Sequence, residues 1–339
     1  MKKLLTLIVV LCMAFALCAC SQEAPAAEEK TEAPAVEEAP AEEEAPAEEE
    51  APAESSDSLK FGFTEWIACE FFDSVYDGLM SVVDEHPGVE VVHSEGKADS
   101  THQQSVIEDF IAQDCDVVFY NPVDSAASQV AVDAMKEAGI IIVNFDSQVA
   151  NLDDVDCFLA TDNFEAGRQA GLAMVADFPE GGKIAVLNYP ANTAACDREA
   201  GFLDAIEGSG LEVVQTLDSN GLIDVSTTQM DDILQAHPDL VAVFAINDDG
   251  GLGSYAAITA AGMDVKIYSV NGSPEAKALV AEGGIYACTS AQSTINMGKM
   301  SAEVAFKILN GEAVDPVTLI PPIAITKDNI DQYGTDGWQ

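Results

Sequence analysis

The sequence predicts an α/β protein with two Rossmann-like lobes, in which helices cover both faces of each parallel sheet. From residue 59 onward, short runs rich in Val, Ile and Phe alternate with segments of helical pattern. The apolar runs are continuous rather than alternating with polar residues, as is typical of strands buried in a parallel sheet. Ten such runs exceed what one doubly wound sheet needs, so two sheets of about five strands each are predicted.

Each apolar run is assigned as one strand, and the segments between the runs supply the helices. The predicted strands span residues 59–64, 89–93, 116–120, 140–145, 156–160, 183–188, 211–216, 241–246, 265–270 and 285–289. The predicted helices include residues 71–85, 105–113, 126–138, 164–177, 226–236, 252–261 and 294–309.

Residues 1–19 are predicted to be a signal peptide, since two lysines precede an apolar run over residues 4–16. The run is too short to remain as a membrane-spanning helix. Its end, Leu-Cys-Ala-Cys at residues 17–20, resembles the lipobox of bacterial lipoproteins, in which the new terminal cysteine carries a diacylglycerol. The resemblance implies that Cys20 is lipidated and that the protein is anchored at the outer face of the cell membrane. An ordinary secretory signal with an incidental Cys20 is the alternative.

Residues 20–58 are predicted to be the lipid anchor followed by a disordered acidic linker. Residues 21–58 form an irregular Glu/Ala/Pro repeat with 14 acidic residues, one basic residue and no aromatic. This composition cannot bury enough apolar surface to offset the entropy lost on ordering. Repulsion between carboxylates and the stiffness of proline predict an extended spacer between the membrane and the globular domain.

The charge and cysteine content exclude several classes of function. The net charge of −45 argues against nucleic acid and anionic lipid headgroups as partners. The globular domain has an odd number of widely spaced cysteines without a Cys-x-x-Cys pair, so at most two disulfides can form. The four histidines show no ligand spacing, and no metal site is predicted. The domain cysteines are Cys69, Cys115, Cys157, Cys196 and Cys288.

Polar side chains follow most of the predicted strands directly. Ligands of doubly wound sheets bind beyond the carboxyl ends of the strands, so these positions are candidate ligand contacts. Helix N-capping is the better explanation for Asp124, Asp224 and Ser273. The remaining set is dominated by Asn, Asp and Gln, whose donors and acceptors suit a polyhydroxylated ligand. It comprises Thr64-Glu65-Trp66, Asn121, Asp146-Ser147, Thr161-Asp162-Asn163, Asn247-Asp248-Asp249, Asn271-Gly272 and Gln292.

Eight short motifs occur in order along residues 59–339. They are Phe71-Phe72, Asn121-Pro122-Val123-Asp124-Ser125, Asn144-Phe145-Asp146, Thr161-Asp162-Asn163 with Gly167 and Gly171, Arg198-Glu199-Ala200-Gly201-Phe202, Phe244-Ala245-Ile246-Asn247-Asp248, Val270-Asn271-Gly272 and Ala291-Gln292. Their order and spacing resemble those of type I periplasmic binding proteins, in the ribose-binding-like branch of the sugar-binding family. The resemblance implies two lobes that clamp a ligand and are joined by a three-segment hinge.

The same resemblance implies where the hinge and the lobes lie. The crossovers are expected near residues 160–162, 289–292 and 321–324. The N-terminal lobe is then residues 59–161 plus 292–322. The C-terminal lobe is then residues 162–291 plus 323–339.

The resemblance also implies ligand-binding residues. Phe71 and Phe72 match aromatics that stack on sugar rings, with core packing as the alternative. Asp146 matches a carboxylate that accepts from hydroxyl groups. Arg198 matches a guanidinium that binds two oxygens at once, with a surface helix charge as the alternative. The full expected set is Glu65, Trp66, Phe71, Phe72, Asp146, Asp162, Asn163, Arg198, Asn247, Asn271 and Gln292, in which Asp162 and Asn163 fall at the first hinge.

Several positions depart from the ribose-binding pattern. Ser147 replaces a basic residue, Cys69-Glu70 replaces Asn-Pro, and Asn271 replaces an aspartate. Acids at Glu65 and Glu70 are expected near the cleft mouth, with solvated rim residues as the alternative for both. With Arg198 as the only expected cation, a neutral polyhydroxylated ligand ranks first, an aminated sugar second and an anionic sugar last. Ribose itself is in doubt, and another pentose, a hexose or a polyol stays open.

The predicted function is that of an extracytoplasmic solute-binding lipoprotein of an ABC importer, which is monomeric and delivers its ligand to the membrane permease. The alternative is the ligand-binding subunit of a sensor or chemoreceptor that uses the same cleft. An enzyme is not expected and no cofactor is predicted. Residues 251–256 match a dinucleotide fingerprint formally, but nicotinamide cofactors are not expected to be supplied to an exported domain. Hydrolysis by paired carboxylates stays open, since their separation in space decides it.

Overall fold

The computed structural model describes residues 58–339, which belong to one compact unit. The predicted signal peptide, Cys20 and the acidic linker up to residue 57 lie outside the described residues. Two α/β lobes, each built on its own six-stranded sheet, make up the described part of the chain. This architecture confirms the predicted fold class.

Strands and helices alternate along the described residues. The strands are β1 (Leu59–Thr64), β2 (Val89–His93), β3 (Val117–Tyr120), β4 (Ile141–Phe145), β5 (Cys157–Thr161), β6 (Gly182–Asn188), β7 (Leu211–Asp218), β8 (Leu240–Ala245), β9 (Lys266–Asn271), β10 (Tyr286–Ala291), β11 (Val317–Ile320) and β12 (Ile323–Thr326). The helices are α1 (Glu70–Val83), α2 (Ser100–Ala112), α3 (Gln129–Glu137), α4 (Asn163–Asp177), α5 (Thr193–Ile206), α6 (Ile223–Ala236), α7 (Asp248–Ala261), α8 (Pro274–Glu282), α9 (Thr294–Leu309) and α10 (Ile330–Tyr333).

The N-terminal lobe contains a sheet in the strand order β11-β5-β4-β3-β1-β2. All of its strand pairs are parallel. The central strands β3 and β5 are buried along their whole length, which is what their continuous apolar sequences predict. Helices α1 and α9 pack together against this sheet, so a helix near the C-terminus completes the core of the N-terminal lobe.

The C-terminal lobe contains a sheet in the order β12-β10-β9-β8-β6-β7. Helices α4 and α5 pack as one pair and helices α6 and α7 as another. The first pair is so close that a side chain at Gly167 on α4 would collide with the backbone carbonyl of Arg198 on α5. Because Gly167 has no side chain, α5 can lie directly against α4. This close packing sets the position of Arg198.

The predicted number of strands is wrong, because each sheet has six strands rather than about five. The two additional strands, β11 and β12, have four residues each and are separated only by Pro321-Pro322. Proline cannot donate a ladder hydrogen bond, so this region reads from sequence as a crossover alone. The sheets are mostly parallel, as predicted, and the exception is β12, which runs antiparallel to β10.

The chain passes between the two sheets three times. It leaves the N-terminal sheet after β5, returns between β10 and α9, and leaves again between β11 and β12. These three connections lie side by side, since β5 pairs with β11 and β10 pairs with β12. They form the hinge between the lobes.

The cysteines of the described residues are all free thiols, and Cys115, Cys157 and Cys288 are buried. Burial raises the pKa of the Cys157 and Cys288 thiols to about 12, so both are protonated at neutral pH. Residues 58–339 contain no helix long and apolar enough to cross a membrane. The same residues contain no cluster of His, Cys, Asp or Glu suited to a metal ion.

Candidate functional site

A cavity of about 440 Å³ lies between the two lobes, beyond the carboxyl ends of the strands of both sheets. Its volume falls in the range of small-molecule sites. Both lobes and the hinge contribute side chains to its wall. Eight of the expected ligand-binding residues line it: Trp66, Phe71, Phe72, Asp146, Arg198, Asn247, Asn271 and Gln292.

Asp146 follows β4 and is 6% exposed. It adopts a left-handed backbone conformation (φ 60°), which aspartate and asparagine tolerate better than most residues. Its Oδ2 accepts from Asn121 Nδ2 and Ser147 Oγ, both at 3.1 Å. Its Oδ1 is buried without a partner in the described residues. Burial raises the pKa of Asp146, and the charge of Arg198 partly opposes this effect.

Arg198 projects from α5 and is also 6% exposed. Its Nε donates to Asn163 Oδ1 at 2.7 Å, and its Nη1 donates to the Ile246 carbonyl at 3.0 Å and to Asn271 Oδ1 at 3.3 Å. Burial lowers the pKa of Arg198, whereas Asp146 raises it. Because a guanidinium is a far stronger base than any other side chain, Arg198 stays charged at neutral pH. In the described residues its Nη2 has no acceptor, so it is available to a ligand.

Asp146 and Arg198 come from opposite lobes and attract each other through space. No ion pair within 4.0 Å joins them in the described part of the chain. A ligand that carries hydroxyl groups would find an acceptor at Asp146 Oδ1 in one lobe and a donor at Arg198 Nη2 in the other. Such contacts would join the two lobes through the ligand.

Gln292 lies at the second hinge connection and is 1% exposed. Its Nε2 donates to Asn271 Oδ1 at 2.8 Å, while its Oε1 has no partner in the described residues. This Oε1 is a second unpaired buried acceptor beside the cavity. Asn247 differs, because its Oδ1 caps α7 at Gly250 N and its Nδ2 donates to the Gly221 carbonyl. Both polar atoms of the Asn247 side chain therefore already have hydrogen-bond partners within the protein.

Aromatic rings form the apolar part of the cavity wall. Phe71 and Phe72 meet edge to face with centroids 5.0 Å apart, and both also belong to the core of the N-terminal lobe. Core packing, one of the two alternatives considered from sequence, therefore applies to both rings, and stacking on a ligand stays a prediction for the ring surface that faces the cavity. Trp66 of the N-terminal lobe and Tyr189 of the C-terminal lobe contact each other with centroids 5.8 Å apart.

Three expected ligand contacts do not line this cavity. Glu65 is 1% exposed, and its carboxylate binds His93 Nε2 at 2.9 Å. Asp162 caps α4 by accepting from Glu165 N. Asn163 lies outside the cavity wall, where it accepts a hydrogen bond from Arg198 Nε and orients that guanidinium. Glu65 therefore adds no charge to the cavity wall, contrary to its expected place at the cleft mouth.

Several residues that line the cavity were outside the full expected ligand-binding set, although Asp248 and Asp249 were among the strand-end candidates. Asp248 is buried and accepts from Ser269 Oγ, Thr289 Oγ1 and the backbone N–H of Ser273. Its place directly after Asn247 was the available sequence signal. Asp249 is less enclosed, and burial together with the charges of its acidic neighbours raises its pKa to about 6. Glu70, which was expected near the cleft mouth, also lines the cavity. The lining residues that were not expected include Cys69, Tyr189, Asn192, Glu275 and Trp338.

The lobes contact each other around the cavity. Asn192 Nδ2 donates to Ser147 Oγ at 2.8 Å, and Tyr189 OH donates to the Val123 carbonyl at 3.4 Å. Ser147 also donates to Asp146, so it links the interlobe contact to a carboxylate of the cavity. The structure is therefore a closed form. Ser147, which stands where the sequence analysis noted a departure, therefore serves this contact between the lobes.

This chain is similar to known proteins over most of its length. Residues 66–313 match the family model described as a periplasmic binding protein domain. The ribose import binding protein of Bacillus subtilis is 32% identical over 252 residues, which cover 74% of this chain and 81% of that protein.

Two solved structures are also similar to this chain. An ABC transporter solute-binding protein of Mycobacterium smegmatis with bound glycerol has a TM-score of 0.77 and 29% identity, over 81% of this chain and 96% of that chain. One of Bacillus halodurans with bound myo-inositol has a TM-score of 0.78 and 26% identity, over 83% and 98%.

Proposed function

Since this chain belongs to the periplasmic binding protein domain family, we propose that it captures a small neutral sugar or polyol and delivers it to the permease of an ABC importer. The ligand binds between the lobes and stabilises the closed form, which is the form that a permease recognises. The relative and the two solved structures described above are named as import or transporter binding proteins. Those names favour transport over sensing and over catalysis.

The observation that carries this proposal is the pair of unpaired acceptors, Asp146 Oδ1 and Gln292 Oε1, beside the cavity. A buried acceptor without a hydrogen bond is costly, so each is suited to a donor supplied by the ligand. The free Nη2 of Arg198 supplies the complementary donor. Hydroxyl groups both donate and accept, and the rings of Phe71 and Phe72 suit the C–H face of a sugar ring.

The charges of the cavity wall support a neutral ligand. Acidic residues outnumber the single cation Arg198, and they include Glu70, Asp146, Asp249 and Glu275. An anionic ligand would meet like charges in a poorly hydrated space. Two of these acids, Glu70 and Glu275, are exposed to solvent at the edge of the cavity, so water rather than a ligand solvates their charge. An aminated sugar therefore ranks second, behind a neutral sugar or polyol.

A thermal-shift screen tests the proposed ligand class. D-ribose and myo-inositol are compared with the matched set D-glucose, D-glucosamine and D-glucuronate at pH 7. A neutral member at a concentration about 100-fold above its Kd should raise Tm by roughly 5–10 °C, because it binds only the folded state. Glucosamine should give a smaller shift and glucuronate none. A shift with glucuronate alone would refute the proposal. So would the absence of a shift with every sugar and polyol of a wider panel.

We further propose that Cys20 is lipidated and that the acidic segment tethers the domain outside the membrane. The support is the Leu-Cys-Ala-Cys sequence at residues 17–20 and the Glu/Ala/Pro composition that follows. Cys20→Ala should move the protein from the membrane fraction to a shed or unprocessed form. Cys18→Ala is the matched control and should stay in the membrane fraction. Retention of the Cys20→Ala protein in that fraction would contradict the anchor.

A further inference from the structure

The C-terminal tail, residues 334–339, is attached to the C-terminal lobe. It begins at Gly334, which ends α10 with a left-handed φ of 73°. The Gly337 carbonyl accepts from Lys277 Nζ at 2.7 Å. Lys277 lies on α8 and is completely buried. Because a buried ammonium group needs a partner, this hydrogen bond holds the tail in place.

The next residue of the tail, Trp338, reaches the N-terminal lobe. Its indole lies edge to face against Phe71, with centroids 5.5 Å apart and an angle of 85°. It packs against the core of the N-terminal lobe and lines the cavity. The tail is therefore anchored on one lobe and contacts the other lobe at the ligand site.

We propose that Trp338 is a ligand-contacting residue that helps to determine specificity, an inference that rests on the proposed sugar-binding function. Phe71 from the N-terminal lobe and Trp338 from the tail form adjoining aromatic walls of the cavity. Aromatic faces and edges pack well against the C–H groups of a sugar or polyol. The Trp338–Phe71 contact joins the two lobes, so the tail also favours the closed form when ligand is present.

Substitution of Trp338 tests this role with D-ribose and myo-inositol as probes, measured by calorimetry. Trp338→Phe keeps an aromatic ring and should bind within about threefold of wild type. Trp338→Leu keeps apolar bulk without the ring and should bind about tenfold more weakly. Lys277→Met should also weaken binding, although Lys277 does not line the cavity. Its Tm should fall, because Asp248 and the Gly337 carbonyl lose this cation, so affinity is measured at a temperature well below Tm.

Fluorescence gives an independent readout, since the chain contains only two tryptophans, Trp66 and Trp338. In Trp66→Phe, Trp338 is the sole reporter, and sugar binding should still change its emission. A Trp66→Phe protein that binds sugar without any change in emission would overturn the proposal. So would Trp338→Leu and Lys277→Met proteins that fold and bind like wild type. If the wild type binds neither these probes nor other sugars or polyols, the proposed function itself fails, and this inference fails with it.

Discussion

Asp146→Asn is expected to weaken sugar binding by roughly ten- to hundredfold, because a hydrogen bond to a charged group contributes about 1.5–3 kcal/mol. The carboxylate offers Oδ1 to the ligand, and no described residue competes for that atom. Asparagine preserves the shape of the side chain and tolerates the left-handed backbone at φ 60°. Calorimetry with a sugar identified in the thermal-shift screen measures the effect.

The same substitution should not lower Tm at pH 7. Burial raises the pKa of Asp146, so its ionised form is less favourable in the folded state than in the unfolded state. Its contribution to stability is therefore greatest below its ordinary pKa and falls as the pH rises through the raised value. Removing the charge avoids that loss at pH 7. Asp109→Asn on the exposed face of α2 is the control, and equal affinity in the two variants would contradict the role of Asp146.

Arg198→Lys is expected to weaken sugar binding by at least tenfold and also to lower Tm by several degrees. The guanidinium serves Asn163 Oδ1, the Ile246 carbonyl and Asn271 Oδ1 with its Nε and Nη1, and it leaves Nη2 for the ligand. One ammonium group cannot replace this planar fork. Acceptors left without donors cost about 1–3 kcal/mol each, and each kcal/mol lowers Tm by about 2–4 °C.

The matched control is Arg168→Lys, since Arg168 is the only other arginine of the chain. It lies half-exposed on α4 and forms ion pairs with Glu165 and Asp204 at the surface. Such pairs contribute little, and lysine can retain them, so affinity and Tm should stay near wild type. Equal behaviour of the two lysine variants would show that Arg198 neither binds the ligand nor organises the C-terminal lobe.

Arg198 and Asp146 illustrate how much of the site sequence motifs can predict. Both residues lie in short ordered motifs, and Asp146 directly follows a predicted strand, at the edge where ligands of such sheets bind. The expected place of both residues in the cleft, and of Gln292 at the hinge, followed from the resemblance of these motifs to those of the ribose-binding-like family. The motifs could not reveal that Asp146 Oδ1 and Gln292 Oε1 remain unpaired, because that depends on every neighbouring side chain.

Glu65 illustrates where sequence signals fail. Its position after β1 made it a candidate for the cleft mouth, but its side chain turns toward His93 on β2. Side chains alternate between the two faces along a strand, but the partner that a side chain meets on another strand, here His93, is set by tertiary packing. Ser147 is a second example. Its contact with Asn192 joins residues that are 45 positions apart in the chain, so no local pattern predicts it.

The sequence by itself determined the alternation of strands and helices, the two-lobed α/β class and the polar residues at the strand ends, because these follow from local periodicity and composition. Only the tertiary structure decided the sixth strand of each sheet, the closure of the lobes and the place of Trp338 in the cavity. The tail ends near Phe71 because Lys277 holds Gly337 across 60 residues of sequence. Such a contact arises from packing between distant segments, and no local pattern encodes it.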